Sequence, residues 1–248
     1  MDLGLQGKRA AVAAASAGLG LGAARALAAE GVQVAICGRD RAKVDAAAAE
    51  IGGVGLVADM ADTDQATGFV EEAAERLGGV IDIVVANAGG PPGGNFASTD
   101  LDAYRTALDL NLLSSIALCQ AAVPPMQAQG WGRVVAITSI GVRQPPPYLM
   151  ASATARAGLT AFLKVLATEV APDGVTVNSV QPGMHDTDRV RQLHGDVSPE
   201  DAARGIPVGR LGDPDDFGSI VAFLCSPQAG FVAGTSLLVD GGAFPGLV

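Results

Sequence analysis

The stretch Ala14-Ala15-Ser16-Ala17-Gly18-Leu19-Gly20-Leu21-Gly22 decides how the rest of the chain is read. It follows a short apolar run at residues 9–14 and opens an Ala-rich segment that continues to Glu30. A glycine turn between a strand and a helix lets backbone N–H groups approach a pyrophosphate at the positive end of the helix dipole. Ala14, Ser16, Gly18, Leu19 and Gly20 are therefore candidate cofactor contacts. The same glycines would also serve close helix packing, so the turn alone does not decide between the two roles.

Working outward, short apolar runs alternate with longer Ala-rich stretches, the rhythm of repeated βα units around a parallel sheet. Strands are predicted at 9–14, 33–37, 53–57, 81–86, 133–138, 175–180 and 237–239, and helices at 18–30, 41–51, 64–77, 101–129, 149–170 and 214–224. The strands are nearly all apolar, as expected when helices cover both faces of a sheet. The fold class is α/β: one Rossmann domain over residues 1–248, doubly wound, with a parallel seven-stranded sheet.

After the second strand the chain reads Ile36-Cys37-Gly38-Arg39, where many NAD enzymes place an acid on the adenosine ribose. With no carboxylate to repel a 2′-phosphate and Arg39 available to bind one, NADP(H) is preferred and NAD(H) remains possible. Arg39 read alone is equally a solvated residue at a helix start.

Composition narrows the rest. The formal charge of −10 and only 16 basic residues leave no Lys/Arg cluster for a nucleic-acid backbone. Apolar residues make up 49% and charged residues 17%, which fits one large aliphatic core. Cys37, Cys119 and Cys225 are widely spaced in apolar runs, as buried thiols of a reducing compartment are, and no metal site is expected. No window appears long enough to span a membrane, and the N-terminus lacks a secretory signature, so a cytoplasmic protein is expected.

Three segments break the βα rhythm: 89–95, 141–147 and 183–207. Loops at the carboxyl ends of strands carry the sites of such folds. The last segment is polar and holds both histidines, and residues 184–207 read as a mobile substrate lid.

Together these residues resemble the short-chain dehydrogenase/reductase family from Lys8 to Gly242. The matching motifs are Ala58-Asp59-Met60, Asn87-Ala88-Gly89, Asn111, Ser139, Pro182-Gly183 with Thr187, and Val239-Asp240-Gly241-Gly242. The resemblance implies that Asp59 and Met60 contact adenine, that Asn87, Ala88 and Gly89 form the cofactor floor, and that Pro182, Gly183 and Thr187 hold the nicotinamide carboxamide. The chain is most similar to 3-oxoacyl-carrier-protein-reductase-like members, in particular a divergent group with a Gly89-Gly90-Pro91-Pro92-type stretch. Relatives pair their fourth and fifth helices, which implies a homo-oligomer, a dimer or homotetramer.

The departures are chemical. Where the family carries Tyr and, four residues on, Lys, this chain has Ser152 and Arg156. A phenol near pKa ~10 can protonate a nascent alkoxide, whereas an aliphatic hydroxyl is a far weaker acid. Arg156 keeps the charge and would clasp the nicotinamide ribose without relaying a proton. Loss of a general acid costs about 10²- to 10⁴-fold, which predicts a handicapped or rewired enzyme rather than a dead one. Candidate replacements are Tyr148, on one face with Ser152 and Arg156 if the helix already includes it, and His185; His194 reads as a surface residue. Ser139 is either a donor to a carbonyl oxygen or a local backbone cap. Ala14 replaces the first glycine of the phosphate turn, at a cost of about 1 kcal/mol if its backbone is left-handed.

Two functions fit. One is an NADP(H)-dependent oxidoreductase interconverting a ketone and a secondary alcohol on a small or medium apolar substrate, with Asn111, Ser139, Tyr148, Ser152 and Arg156 at the reacting end. The other is a non-catalytic NADP(H)-binding sensor or partner subunit.

Overall fold

The computed structural model describes residues 2–194 and 198–247. Its sheet has seven parallel strands: β1 (Arg9–Val12), β2 (Gln33–Gly38), β3 (Val54–Val57), β4 (Ile83–Ala86), β5 (Gly132–Ile137), β6 (Val175–Pro182) and β7 (Ser236–Val239), in the order β3-β2-β1-β4-β5-β6-β7. The order reverses between β1 and β4, so the chain leaves these two neighbours in opposite directions and opens a crevice beyond their carboxyl ends. All seven predicted strands are present, with shifted ends; β1 stops at Val12 because Ala14 turns left-handed, at φ +47°.

Helices cover both faces. One side carries α1 (Gly18–Ala29) and α2 (Arg41–Ile51), and the other carries α3 (Thr63–Leu77). Next come α4 (Leu101–Leu108), α5 (Ser114–Gln129) and α6 (Met150–Val170), then two short helices, α7 (Asp188–His194) and α8 (Pro199–Ala202), and last α9 (Pro214–Cys225). Alternate strand residues feed two cores: Ala11, Val84 and Val134 face Phe69, Leu118 and Leu159, while Val12, Val85 and Val135 face Leu27, Phe217 and Val221. Helices α1 and α9 touch through Gly22 and Gly218. A Cβ on Gly22 would overlap the Pro214 carbonyl, and one on Gly218 would overlap that of Gly22.

Two expectations need correction. The predicted helix at 101–129 is interrupted by a π-helical turn at Asp109–Leu113, where Asn111 sits. The same stretch, Leu101–Gln129, is also long and apolar enough on composition to cross a membrane, contrary to the sequence reading. Half of its most apolar window is buried inside the fold, and Ala117, Leu118, Cys119 and Val123 supply core rather than a lipid-facing surface.

Candidate active site

A cavity of about 790 Å³ runs along the carboxyl ends of β1, β4, β5 and β6. All three segments that break the βα rhythm contribute to its wall: Gly89 and Gly90, then Gly141 and Gln144 to Pro147, then Gly183 to His185 and Thr187 to Val190 with Arg204 to Ile206.

At the β1 end the wall is the glycine turn. Helices α2, α3, α4 and α9 each begin on an Asp cap, namely Asp40, Asp62, Asp100 and Asp213, whereas α1 begins on Ala17 with no side-chain cap. Its first-turn N–H groups therefore open on the cavity with the positive end of the helix dipole behind them. The turn is locked from below by Asn87, whose Nδ2 donates to the carbonyls of Ala13 and Ala14, each at 3.1 Å. Gly20 must be glycine, because a Cβ there would lie 2.7 Å from Asn87 Nδ2 and 2.9 Å from the Ala14 carbonyl. Above the turn, Thr187, just before α7, packs 3.6 Å from where a Gly18 Cβ would stand.

Ser16, Arg39, Asp59 and Met60 lie beyond this cavity, at the ends of β1, β2 and β3. Ser16 Oγ sits 3.0 Å from the position of a Gly38 Cβ, so Ser16 and Arg39 share one corner. Arg39 is exposed and makes no ion pair among the described residues. Met60 is buried in the core and Asp59 accepts from its own Ala61 N–H, so the polar contact at this rim comes from Asp59 alone.

At the other end Arg156 is half-buried in the cavity wall. Its Nη1 donates to the carbonyls of Ile137 (2.9 Å) and Thr138 (3.1 Å), and its Nε donates to Ser152 Oγ (3.4 Å). Burial, reinforced by the charge of Arg189, pushes the guanidinium down to about 10, which still leaves it a cation at neutral pH. Since Ser152 Oγ accepts from Arg156, its own hydrogen is free to point elsewhere. Ser139 caps a short turn, accepting from Gly141 N–H at 3.0 Å. Asn111 is 2% exposed and donates through Nδ2 to the Gly89 carbonyl at 2.9 Å, holding the floor in place; its Oδ1 has no partner among the described residues.

The helix does not reach back to Tyr148. Gly94 N–H donates to the Tyr148 carbonyl at 2.8 Å and Met150 N–H to the Gly94 carbonyl, so the glycine-rich loop after β4 claims the groups that would have continued α6. Tyr148 therefore stands at the cavity mouth, 49% exposed, outside the face shared by Ser152 and Arg156. His185 borders the cavity but is spoken for: Nδ1 lies 3.2 Å from the Gly183 carbonyl and the ring meets Phe217 edge-on at 5.1 Å. Burial lowers its pKa, so it is neutral at pH 7, with the proton on Nδ1. Thr187 caps α7, and Pro182 and Gly183 close the wall above β6. The side chain of His194 falls outside the described residues.

The residue missed by sequence reasoning is Arg189. Its Nη2 donates to the Pro91 carbonyl at 2.6 Å and its guanidinium lies flat on Gly90, where a Cβ would stand 2.7 Å from Nε. No sequence signal marks it: the nearby acids Asp186 and Asp188 both pair with Arg191 in the fold and leave Arg189 without a carboxylate among the described residues.

A Rossmann sheet with an uncapped glycine turn at its switch point, and a half-buried cation four residues after a hydroxyl at the start of α6, defines a nucleotide-binding oxidoreductase class. Comparison with known proteins makes the assignment narrower. A family profile described as enoyl-(acyl carrier protein) reductase matches residues 13–243. Dehydrogenase/reductase SDR family member 4 of Homo sapiens is 33% identical over 245 residues, covering 96% of this chain and 88% of that protein. The 3-oxoacyl-acyl-carrier-protein reductase of Aquifex aeolicus is 33% identical, covering 98% and 100%. Among solved structures, L-sorbose reductase from Gluconobacter frateurii, complexed with NADPH and L-sorbose, superposes with a TM-score of 0.92 at 28% identity, covering all of both chains. A short-chain oxidoreductase from Pseudomonas aeruginosa PAO1, described as containing an atypical catalytic center, superposes at 0.89 with 30% identity, covering 97% and 98%. The chain belongs to the short-chain dehydrogenase/reductase family of oxidoreductases.

Proposed function

We propose that the protein is an NADP(H)-dependent oxidoreductase that interconverts a ketone and a secondary alcohol. The observation that carries this reading is the continuity of one cavity from the uncapped start of α1 to the partly buried Arg156–Ser152 pair. The residues present fit the dinucleotide. The amides of Gly18, Leu19 and Gly20, with Ala14 beside them, receive the pyrophosphate. Ser16 and Arg39 take the 2′-phosphate, Asp59 and Met60 border the adenine, and Asn87, Ala88 and Gly89 form the floor. Pro182, Gly183 and Thr187 hold the nicotinamide end. The NADPH bound in L-sorbose reductase supports the choice over NAD(H).

Bound NADPH would supply a hydride to the carbonyl carbon. The chain supplies a fixed positive charge beside the oxygen that becomes an alkoxide, in a pre-formed, partly desolvated setting where such a charge acts more strongly than in water. Ser152, with its lone pair engaged by Arg156, turns its O–H towards the substrate oxygen and orients it, and Asn111 holds the Gly89 floor in register. Tyr148 faces solvent in part and His185 is neutral and packed on Phe217, so neither stands in for the missing phenol; Ser139 accepts from Gly141 N–H and, like Ser152, keeps its own O–H to donate to the substrate oxygen, and the proton that completes the alcohol would pass from solvent through these hydroxyls. A solved relative, too, is described as an oxidoreductase containing an atypical catalytic center. Single-turnover loss of NADPH absorbance across a ketone panel tests the reading. Arg156→Gln should slow it at least 10-fold and Arg156→Lys should restore part of the loss, whereas no turnover by the wild type with any ketone would contradict it.

The displacement of Tyr148, which leaves no phenol beside Ser152, also favours a second reading, a non-catalytic NADP(H)-binding sensor or partner subunit. NADPH binding with no hydride transfer in either direction would select it. In either case the exposed Leu113 on the approach to α5 and Val165 on α6 leave apolar positions for a homo-oligomer, dimer or tetramer, and light scattering at the mass of one chain would contradict that assembly.

A further inference from the structure

The geometry points to Arg189 as a recognition residue for a carboxylate on the substrate. This inference rests on the oxidoreductase reading of the same cavity and names a feature of the molecule that enters it.

Three arginines line the cavity, and their partners differ. Arg204, at the rim, is neutralised by Asp201 at 2.8 Å. Arg156 and Arg189 have no carboxylate partner among the described residues, and the charge of Arg189 adds to burial in lowering the pKa of Arg156. The one acid in the cavity wall among the described residues, Asp188, is taken by Arg191 at 2.8 Å. Two guanidiniums without a paired carboxylate thus line one partly desolvated space, a setting that favours an entering anion.

Arg189 is also held in place. Its Nη2–Pro91 carbonyl bond and its seat on Gly90 fix the fork against the loop after β4, an arrangement that any side chain larger than glycine at position 90 would prevent. A guanidinium positioned in advance spends little rotamer entropy on capture. Part of its fork is already committed to Pro91, so what remains suits the single charge of a carboxylate better than the two charges of a phosphate. Apolar walls from Ile140, Pro146, Leu149, Met184 and Ile206 complete the space. The implied substrate class is an oxo acid with a short apolar body, the carbonyl directed to Arg156 and the carboxylate to Arg189.

The same cation could instead serve the cofactor's pyrophosphate, and the experiment separates these sources. Pyruvate, acetoacetate and levulinate would be compared with their methyl esters, for wild type and for Arg189→Met, by initial rates and by calorimetry of each acid binding to the NADP⁺-loaded protein. We expect at least one acid to be favoured over its ester by about 10-fold or more in kcat/KM, Arg189→Met to remove that preference through KM, and NADPH affinity to stay within about 2-fold. Calorimetry should show acid binding that Arg189→Met abolishes, even if no turnover is seen, so failure of the reductase reading is distinguishable from failure of this one. Equal handling of acid and ester together with no acid binding overturns the inference, as does an Arg189→Met variant whose main defect is weaker NADPH binding.

Discussion

Ala14 holds a left-handed backbone, φ +47°, at the point where the chain leaves β1 for the phosphate turn, and it is the only non-glycine residue with positive φ among the described residues. An L-residue there costs about 1–2 kcal/mol, while replacing it by glycine adds about 0.4–1 kcal/mol of unfolded-chain entropy. Ala14→Gly should therefore stabilise the protein by about 0.5–1 kcal/mol, read from urea denaturation, and unchanged or lower stability would show that the turn is relaxed with alanine. His185 gives a pH signature. Its folded pKa lies below the ordinary 6.5, so the unfolded chain binds the extra proton and stability falls as pH drops through about 6.5 towards the folded value. His185→Asn keeps a donor for the Gly183 carbonyl and should flatten the fall in melting temperature between about pH 7.5 and 5 relative to wild type. Parallel curves for the two proteins would contradict this origin.

At the scale of elements, the seven strands and most helices are legible because apolar runs of strand length and Ala-rich runs of helix length alternate with little ambiguity. The π turn at Asp109–Leu113 is not, since inserting one residue into a helical ladder leaves the apolar pattern almost unchanged. Nor is the start of α6: three prolines mark a boundary near Tyr148, but the backbone bonds that settle it come from Gly94, more than fifty residues earlier in the chain. Arg189 shows the same limit, because its lack of a carboxylate partner among the described residues is a property of the folded chain and not of the local sequence. The contact between α1 and α9 is a further long-range fact that no local pattern contains. Gly22→Ala should push α9 off α1 and destabilise the protein by about 1–3 kcal/mol, seen as a lower urea midpoint, with a wild-type midpoint as the contrary result.

For the whole molecule, the sheet order places an uncapped helix start, a glycine cradle and a half-buried guanidinium along one crevice. Family membership is secure from the comparisons, whereas cofactor use and turnover rest on that crevice. The direct test is calorimetry and thermal melting with NADPH and NADH, for wild type and Arg39→Ala. Saturating NADPH at 100 times its Kd should add about 2.7 kcal/mol of stability, a rise of about 5–10 °C for a chain of this size. Arg39→Ala should bring NADPH affinity down towards that of NADH. Absence of heat and of any melting shift with either nucleotide would contradict the account at its centre.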